Sequence, residues 1–471
     1  MDVRFGLDSY ELNEYGLPPV ELVNWYALPA PDRPDKGARL VPVEGVENAI
    51  TRPSGFRGRG CASFQNIFTG VIAVETAQVL LFPPSTGNTL GSPATLGSLG
   101  GTTGEVDFAA SFTEVVVCGS GHATAFAAGP TATAVTLPSG VPQAAAEINQ
   151  RHLYVQAGTS VIWYSDVADA TTIGGSSFFT VEQEPQDVTT LLEYNGVVYA
   201  FGVTKITPYV ATTSVTTPFV ARQGAEIRMG IIGRSAKTII NDDIFFVRTD
   251  GAVCRMRAGG YPEVVSTEAI QRLISSDADS DDVVLSGFSF GQRTVLQVHI
   301  PNTGDYFYDA SLGLWHRRKA LTSEFWRYRF YTQFDGLVYC QNAVDLTPHL
   351  GYLSNETFTD RGDTLRREAT AIVPIMDDEA VDMLVLEGQS GVGLPGAVQG
   401  SEPLAMLRVA RDGRTFEDEL TTSLGLTGEY NWRPTFGPLG YFKPPVAVLK
   451  IALSDPIGYT VTGATINPDY V

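Results

Sequence analysis

Lysine is scarce in this chain of 471 residues, with 6 Lys against 26 Arg. Basic side chains as a whole are outnumbered, 32 against 52 acids, and the formal net charge is −20. So acidic a chain is a poor sequence-general binder of nucleic-acid backbones, which demand positive charge facing the phosphates. The preference for Arg suits fixed contacts, because a guanidinium pairs bidentately with carboxylates and stacks on rings; an Arg-favouring genome gives the same bias. Cysteine is also sparse. Cys61, Cys118, Cys254 and Cys340 lie far apart without a C-x-x-C spacing, and only Cys118 has a histidine close by, His122. That pattern excludes a disulfide scaffold and a zinc knuckle. Three of the four sit in apolar runs (VVVC, GAVC, LVYC), which predicts buried, reduced thiols.

Long apolar runs are missing too. No basic patch followed by an apolar stretch opens the chain, and the longest weakly polar stretch, Phe108 to Gly129, is broken by Glu114, Gly119, Gly121 and His122. Neither a secretory signal nor a membrane span is read, and folding in a cytosol is expected. Helical periodicity is nearly absent. One stretch carries it, from a Ser266/Thr267 cap through Ile270, Leu273 and Ile274.

What is present is short β-type runs, and they recur. Runs starting at Val71, Glu114, His152, Val197, Asp243, Thr294 and Leu337 are spaced by 43, 38, 45, 46, 51 and 43 residues. Several are followed, after a polar turn, by a second run: VIWY after AGTS, AVCRM after TDG, YFYDA after PNTGD. A period of that length in pure β material predicts propeller blades, each of which buries its faces only against its neighbours. From Arg366 to Val471 the rhythm changes to strand-like runs divided by Gly, Pro and Asp turns, as expected of a small sandwich. The expected fold is therefore all-β, a β-propeller of six or seven blades over residues 67–355 with an N-terminal arm (1–66) and a C-terminal β-sandwich (356–471). The Pro-rich Leu17 to Pro53 stretch reads as an arm or clasp that packs on another surface.

Candidate chemical motifs fail on context. Gly287-Phe288-Ser289-Phe290-Gly291 has the letters of a nucleophile elbow, but QRTVLQVHI behind it alternates as a strand where a helix is required. The tract Asp277 to Asp282 (DADSDD) lacks the Gly and Glu of a calcium loop, having Asp282 and Phe288 at those positions. Gly391-Val392-Gly393-Leu394-Pro395-Gly396 fits a dinucleotide fingerprint in letters only, because neither Pro395 nor the AVQGSEPLAM run after Gly396 gives a helix. Asp412-Gly413 is a hairpin turn. Arg361-Gly362-Asp363 reads as a turn, and Asn355-Glu356-Thr357 as a glycosylation acceptor without a secretory route. The five histidines, His122, His152, His299, His316 and His349, show no i, i+4 pair and no triad partner. No catalytic, cofactor-binding or metal residues are assigned, and no cofactor is expected. Two Arg-aromatic clusters remain, Trp315 to Lys319 and Phe325 to Tyr331. The first is read as ordinary blade packing with cation–π contacts. In the second, Trp326, Arg327 and Arg329 are a candidate protein interface, since Trp, Tyr and Arg dominate hot spots.

Three stretches together resemble the packaged-DNA stabilisation proteins of short-tailed bacteriophages, also called tail-hub or tail-nozzle proteins. They are Gly260-Tyr261-Pro262-Glu263-Val264-Val265-Ser266-Thr267-Glu268-Ala269-Ile270; Tyr306-Phe307-Tyr308-Asp309 with Gly313, Leu314, Trp315 and His316; and Asn24-Trp25-Tyr26 with Arg52-Pro53-Ser54-Gly55 and Arg59-Gly60. Ser54 stands where the family commonly has Pro. The resemblance covers most of residues 20 to 320. It implies a non-enzymatic virion protein of the tail, made in the host cytoplasm and assembling as a homohexamer below the portal and its adaptor ring. Such a ring extends the DNA channel and, with a needle or plug protein, retains packaged DNA until ejection; tail fibres or spikes are further partners. Double-stranded DNA would pass through the lumen without sequence-specific binding, and an acidic wall suits that passage by repelling phosphates. The rival expectation is a carbohydrate-binding or carbohydrate-cleaving tail propeller, which would need a carboxylate pair converging on a channel mouth. A third is a propeller scaffold unrelated to phages, which would leave the three stretches as coincidence.

Overall fold

The computed structural model describes residues 2–3, 5–6, 20–30, 38–51, 55–129, 131–181, 186–257, 259–344 and 349–468. The chain divides into two compact units, one of residues 48–303 with 327–352, the other of residues 1–47, 304–326 and 353–471.

The first unit is the propeller. Five sheets have four antiparallel strands in sequence order, beginning with Gly58–Ala62, Asp107–Ala110, Pro142–Ile148, Val188–Tyr194 and Lys237–Ile240. A sixth group contributes the hairpin Val284–Phe290 and Arg293–Ile300. The seventh sheet runs Tyr328–Phe334, Leu337–Asn342 and His349–Ser354, and takes the N-terminal strand Gly45–Thr51, through its half Asn48–Thr51, as fourth member. Seven blades result among the described residues. Each run that recurs in the sequence is the second strand of a blade: Val71–Glu75, Glu114–Gly119, Arg151–Gln156, Val197–Gly202, Asp243–Val247, Arg293–Ile300 and Leu337–Asn342.

Local chemistry sets the turns. A tight hairpin that follows the strand twist needs positive φ at its central residues, and Asn195-Gly196 (φ 53° and 74°) and Asp335-Gly336 (φ 48° and 76°) supply it. The ring closes where the seventh blade meets the first. Gly60 N donates to Gln341 Oε1 at 3.1 Å, and Gln341 Nε2 donates to the Val74 carbonyl at 3.1 Å. Ala49, Val71, Ala73, Leu80, Phe334 and Leu350 share one buried cluster across that seam. The helix Glu268–Ser276 forms as expected, with Thr267 Oγ1 accepting from Ile270 N and Ile270 and Ile274 buried.

The second unit is a β-sandwich. One sheet runs Trp25–Pro29, Ala38–Pro42, Val461–Ile466, Leu384–Gly388 and Thr435–Phe436, with Asp2–Val3 beside Val461–Ile466. The other contains Leu314–Arg317, Leu22–Val23, Arg367–Pro374, Val446–Leu453, Leu404–Ala410 and Leu420–Ser423. Alternate residues point inward, as the strand period of two requires: Ala369, Ala371 and Val373 meet Leu384, Leu386 and Ala464 in one core.

These boundaries differ from those expected at 66 and 355. The described N-terminal strands pair with C-terminal strands of the same chain, as Leu22↔Ala369 and Leu40↔Val461 show. Residues 304–326 likewise belong to the sandwich unit. Short strands such as Leu22–Val23 hold too few residues to reveal their partners in sequence, because pairing is decided by distant segments.

Candidate functional site

The first strand of a blade lies next to the first strand of the next, as seen from second to third, third to fourth, fifth to sixth, sixth to seventh and seventh to first blade. These strands therefore surround the propeller axis. Near the end where they begin, charged side chains of non-neighbouring blades converge. Asp107 opens the first strand of the second blade and Lys237 that of the fifth, three blades away around a ring of seven. Lys237 Nζ stands 2.8 Å from Asp107 Oδ1, and Arg234 Nη2 stands 3.0 Å from Asp107 Oδ2. Arg234 also donates to the carbonyls of Glu105 and Cys118 at 3.1 and 2.9 Å. From the seventh blade, Arg329 pairs with Glu105 Oε1 at 3.1 Å and meets His299 Nε2 at 2.8 Å. An ion-pair bridge thus spans the axis.

Burial sharpens the electrostatics. It pushes the Asp107 carboxyl up, but the Lys237 and Arg234 charges and their hydrogen bonds outweigh it and leave the group below its usual range. Arg59, on the first blade, is 2% exposed. It donates to the carbonyls of Gly101, Thr103, Gly104 and Thr76 at 2.6–2.7 Å and so wraps the loop leading to Glu105 around itself. Burial, with the Arg234 charge adding and Glu105 opposing, brings its guanidinium down to about 10.

Of the residues expected to form an interface, Trp326 and Arg329 are buried within the chain. Trp326 is 1% exposed, and its backbone N–H donates to Asp305 Oδ2 at 2.8 Å. Arg329 is 5% exposed and held in the axial network. Arg327 is half-buried, and its carbonyl accepts from Ala343 N. Trp326 and Arg329 are therefore spent inside the chain, the latter because it lies on a first strand whose neighbours are other blades. Sequence reasoning missed Asp107, Arg234 and Lys237 altogether; the one available signal was charge at the start of recurring first strands.

The other motifs have structural uses. Ser289 lies in a strand and donates to Asn241 Oδ1 at 2.8 Å. Asp277 and Asp279 receive the side-chain amide of Asn302, both at 2.9 Å. Asp412 Oδ1 caps its turn by accepting from Arg414 N and Thr415 N. His152 is buried, which drives its imidazole down to about 4. Among the described residues, no group of three His, Cys, Asp or Glu is placed to hold a metal ion, and no helix is long and apolar enough to cross a membrane.

In the sandwich unit, two of the stretches singled out by resemblance come together. Asn24 adopts φ 55°, and its amide donates to the carbonyls of Lys319 and Arg366 at 3.1 and 2.7 Å while its Oδ1 accepts from Lys319 N at 3.2 Å. The Tyr26 hydroxyl donates to Glu44, and its ring lies 4.9 Å from His316. Fully buried Arg318 completes the cluster, pairing with Glu44 at 3.0 Å and lying 4.8 Å from the Phe307 ring. Arg52-Pro53-Ser54 lies outside the described residues.

Compared with known proteins, the chain matches the family described as Bacteriophage P22 Gp10, beta-propeller, over residues 23–358. The chain belongs to that family. It is accordingly a phage structural protein with a β-propeller, a component of the virion. The match takes in both the convergent stretches of the sandwich unit and every blade of the propeller. Among curated proteins none is similar enough to count as a relative. Similar solved structures include BamB from Moraxella catarrhalis, 12% identical, covering 65% of this chain and 98% of that one with a TM-score of 0.40. The Cps50 (Swd1) β-propeller domain of Myceliophteria thermophila is 8% identical, with coverages of 66% and 100% and a TM-score of 0.43. Raptor from Chaetomium thermophilum is 11% identical, with coverages of 66% and 30% and a TM-score of 0.44. At such values the likeness carries no argument about function.

Proposed function

We propose that this member of the P22 Gp10 family is the tail-hub or nozzle subunit, non-enzymatic, a homohexamer that docks below the portal and adaptor and prolongs the DNA channel. The observation that carries the reading is the family match together with the bridged axis. A propeller whose second and fifth blades are tied across the axis offers no open bore for a duplex, so the channel must run between copies, not through one. The surplus of acids, −20 per chain, suits a wall that repels phosphates and lets the genome slide. The carbohydrate-cleaving alternative needs two free carboxylates at the mouth. Glu105 and Asp107 are instead paired with Arg329 and with Lys237 and Arg234.

The test is the mass of the purified chain by light scattering, alone and with the adaptor ring, followed by electron imaging. A six-fold ring with a central opening between subunits supports the reading. A strict monomer that ignores the adaptor refutes it, as does a ring whose density for DNA passes through the propeller axis.

A further inference from the structure

The sandwich unit carries two exposed rings on one tied-down loop. Trp432 is 44% exposed and Tyr430 77% exposed. Each rests on a glycine. A Cβ on Gly425 would stand 2.9 Å from Trp432 Cγ, and one on Gly391 would stand 2.8 Å from Tyr430 Cδ1. The Trp432 indole N–H is turned inward, donating to the Ser423 carbonyl at 2.8 Å, so what the ring offers to solvent is apolar surface. Ser390 Oγ donates to the Trp432 carbonyl at 2.6 Å, Gly428 N to the Gly391 carbonyl at 3.1 Å, and Leu426 N to Glu429 Oε2 at 2.7 Å, which fixes the loop before any ligand arrives. The Gly391 to Gly396 motif thereby finds its use as a seat for the aromatic loop. Beside the rings is a cavity of about 670 Å³, a size ordinary for small-molecule sites, lined by Glu387, Asn431, Arg433 and Thr462 as well as the two rings.

We propose that this shelf is a saccharide-binding site that holds a pyranose. A pyranose presents one C–H face and a rim of hydroxyls. The Trp432 face meets the first, and the carboxylate, amide, guanidinium and hydroxyl meet the second as acceptors and donors. The lining is too polar for a lipid tail, and with one carboxylate and one guanidinium it carries no net charge to select an anion. Thr465 Oγ1 donates to Glu387 Oε1 at 3.0 Å and orients that carboxylate. The site does not depend on ring assembly or on the hub reading.

Trp432 also supplies its own probe. The other four tryptophans, Trp25, Trp163, Trp315 and Trp326, are 0–5% exposed, so acrylamide quenching of the full chain reads Trp432. Glucose, galactose, mannose, rhamnose and N-acetylglucosamine are titrated to about 100 mM, which saturates a site whose Kd is on the order of 1 mM. At least one is expected to reduce quenching about twofold. Its binding, measured by calorimetry, should vanish in Trp432→Ala and in Gly425→Ala and weaken about tenfold in affinity in Glu387→Gln, with circular dichroism showing that each variant is folded. The proposal is overturned if none of the five protects Trp432, or if binding survives Trp432→Ala. It is equally overturned if Trp432 becomes shielded with rising protein concentration in the absence of sugar, which would make the shelf a contact between copies.

Discussion

Asp107→Asn tests the axial bridge most directly. Asp107 faces two cations at 2.8 and 3.0 Å, and the Lys237 and Asp107 side chains are only 7% and 17% exposed. Neutralising the carboxylate leaves Lys237 and Arg234 without their counter-charge in a largely dry setting, for which the cost is about 3–5 kcal/mol. Urea denaturation of the full chain, followed by circular dichroism, would read this as a lower midpoint. Hydrogen exchange should show faster opening of Asp107–Ala110 and Lys237–Ile240 than of the sandwich strands. The pH dependence carries the same information with a definite sign. The folded-state value of Asp107 is depressed, so its contribution is fully present above the unfolded value of about 3.9 and is lost as pH falls through the lower folded value. Asp107→Asn should therefore remove part of the acid-side loss of stability. The companion Asp107→Leu with Lys237→Met, which removes the closest charge pair together, should recover part of the loss. A midpoint change worth less than about 1 kcal/mol, or an acid limb indistinguishable from that of the parent chain, would refute the bridge as a stabilising element and show it to be screened by water.

Arg329→Glu places a carboxylate against Glu105, so the expected result is a destabilised propeller and a poor yield of folded chain rather than a folded protein deficient only in assembly; thermal melting distinguishes them. Asn24→Ala leaves the carbonyls of Lys319 and Arg366 without their donor and puts an alanine at φ 55°, for about 2–4 kcal/mol, seen as faster proteolysis of the sandwich unit. Arg59→Ala releases four carbonyls, three of them between residues 101 and 104, and that segment should become the first of the unit to exchange and to be nicked by protease. Burial drives the thiols of Cys61, Cys118 and Cys254 up, the last two to about 12 and 11; an aromatic disulfide reagent at neutral pH should label none until the chain is unfolded.

What the amino-acid sequence determined by itself is the repeating unit. Seven runs recur because each blade must bury a second strand on both faces, so that such a strand carries a continuous apolar stretch: Val71 to Val74 and Ile244 to Val247 are buried at every position. The sandwich strand Leu404–Ala410 was legible for the matching reason, as its inward alternation is local to the strand. Tertiary structure alone decided which strand joins which. Residues 48–51 close a blade whose other strands begin at 328, and Asn24 bonds to Lys319 across 295 residues. Periodicity assigns a face to a side chain but not a partner, and Arg329 reads the same at a free edge as on a first strand. For the same reason the bridge between Asp107 and Lys237, 130 residues apart, exists only once seven blades have brought opposite sides of the ring together.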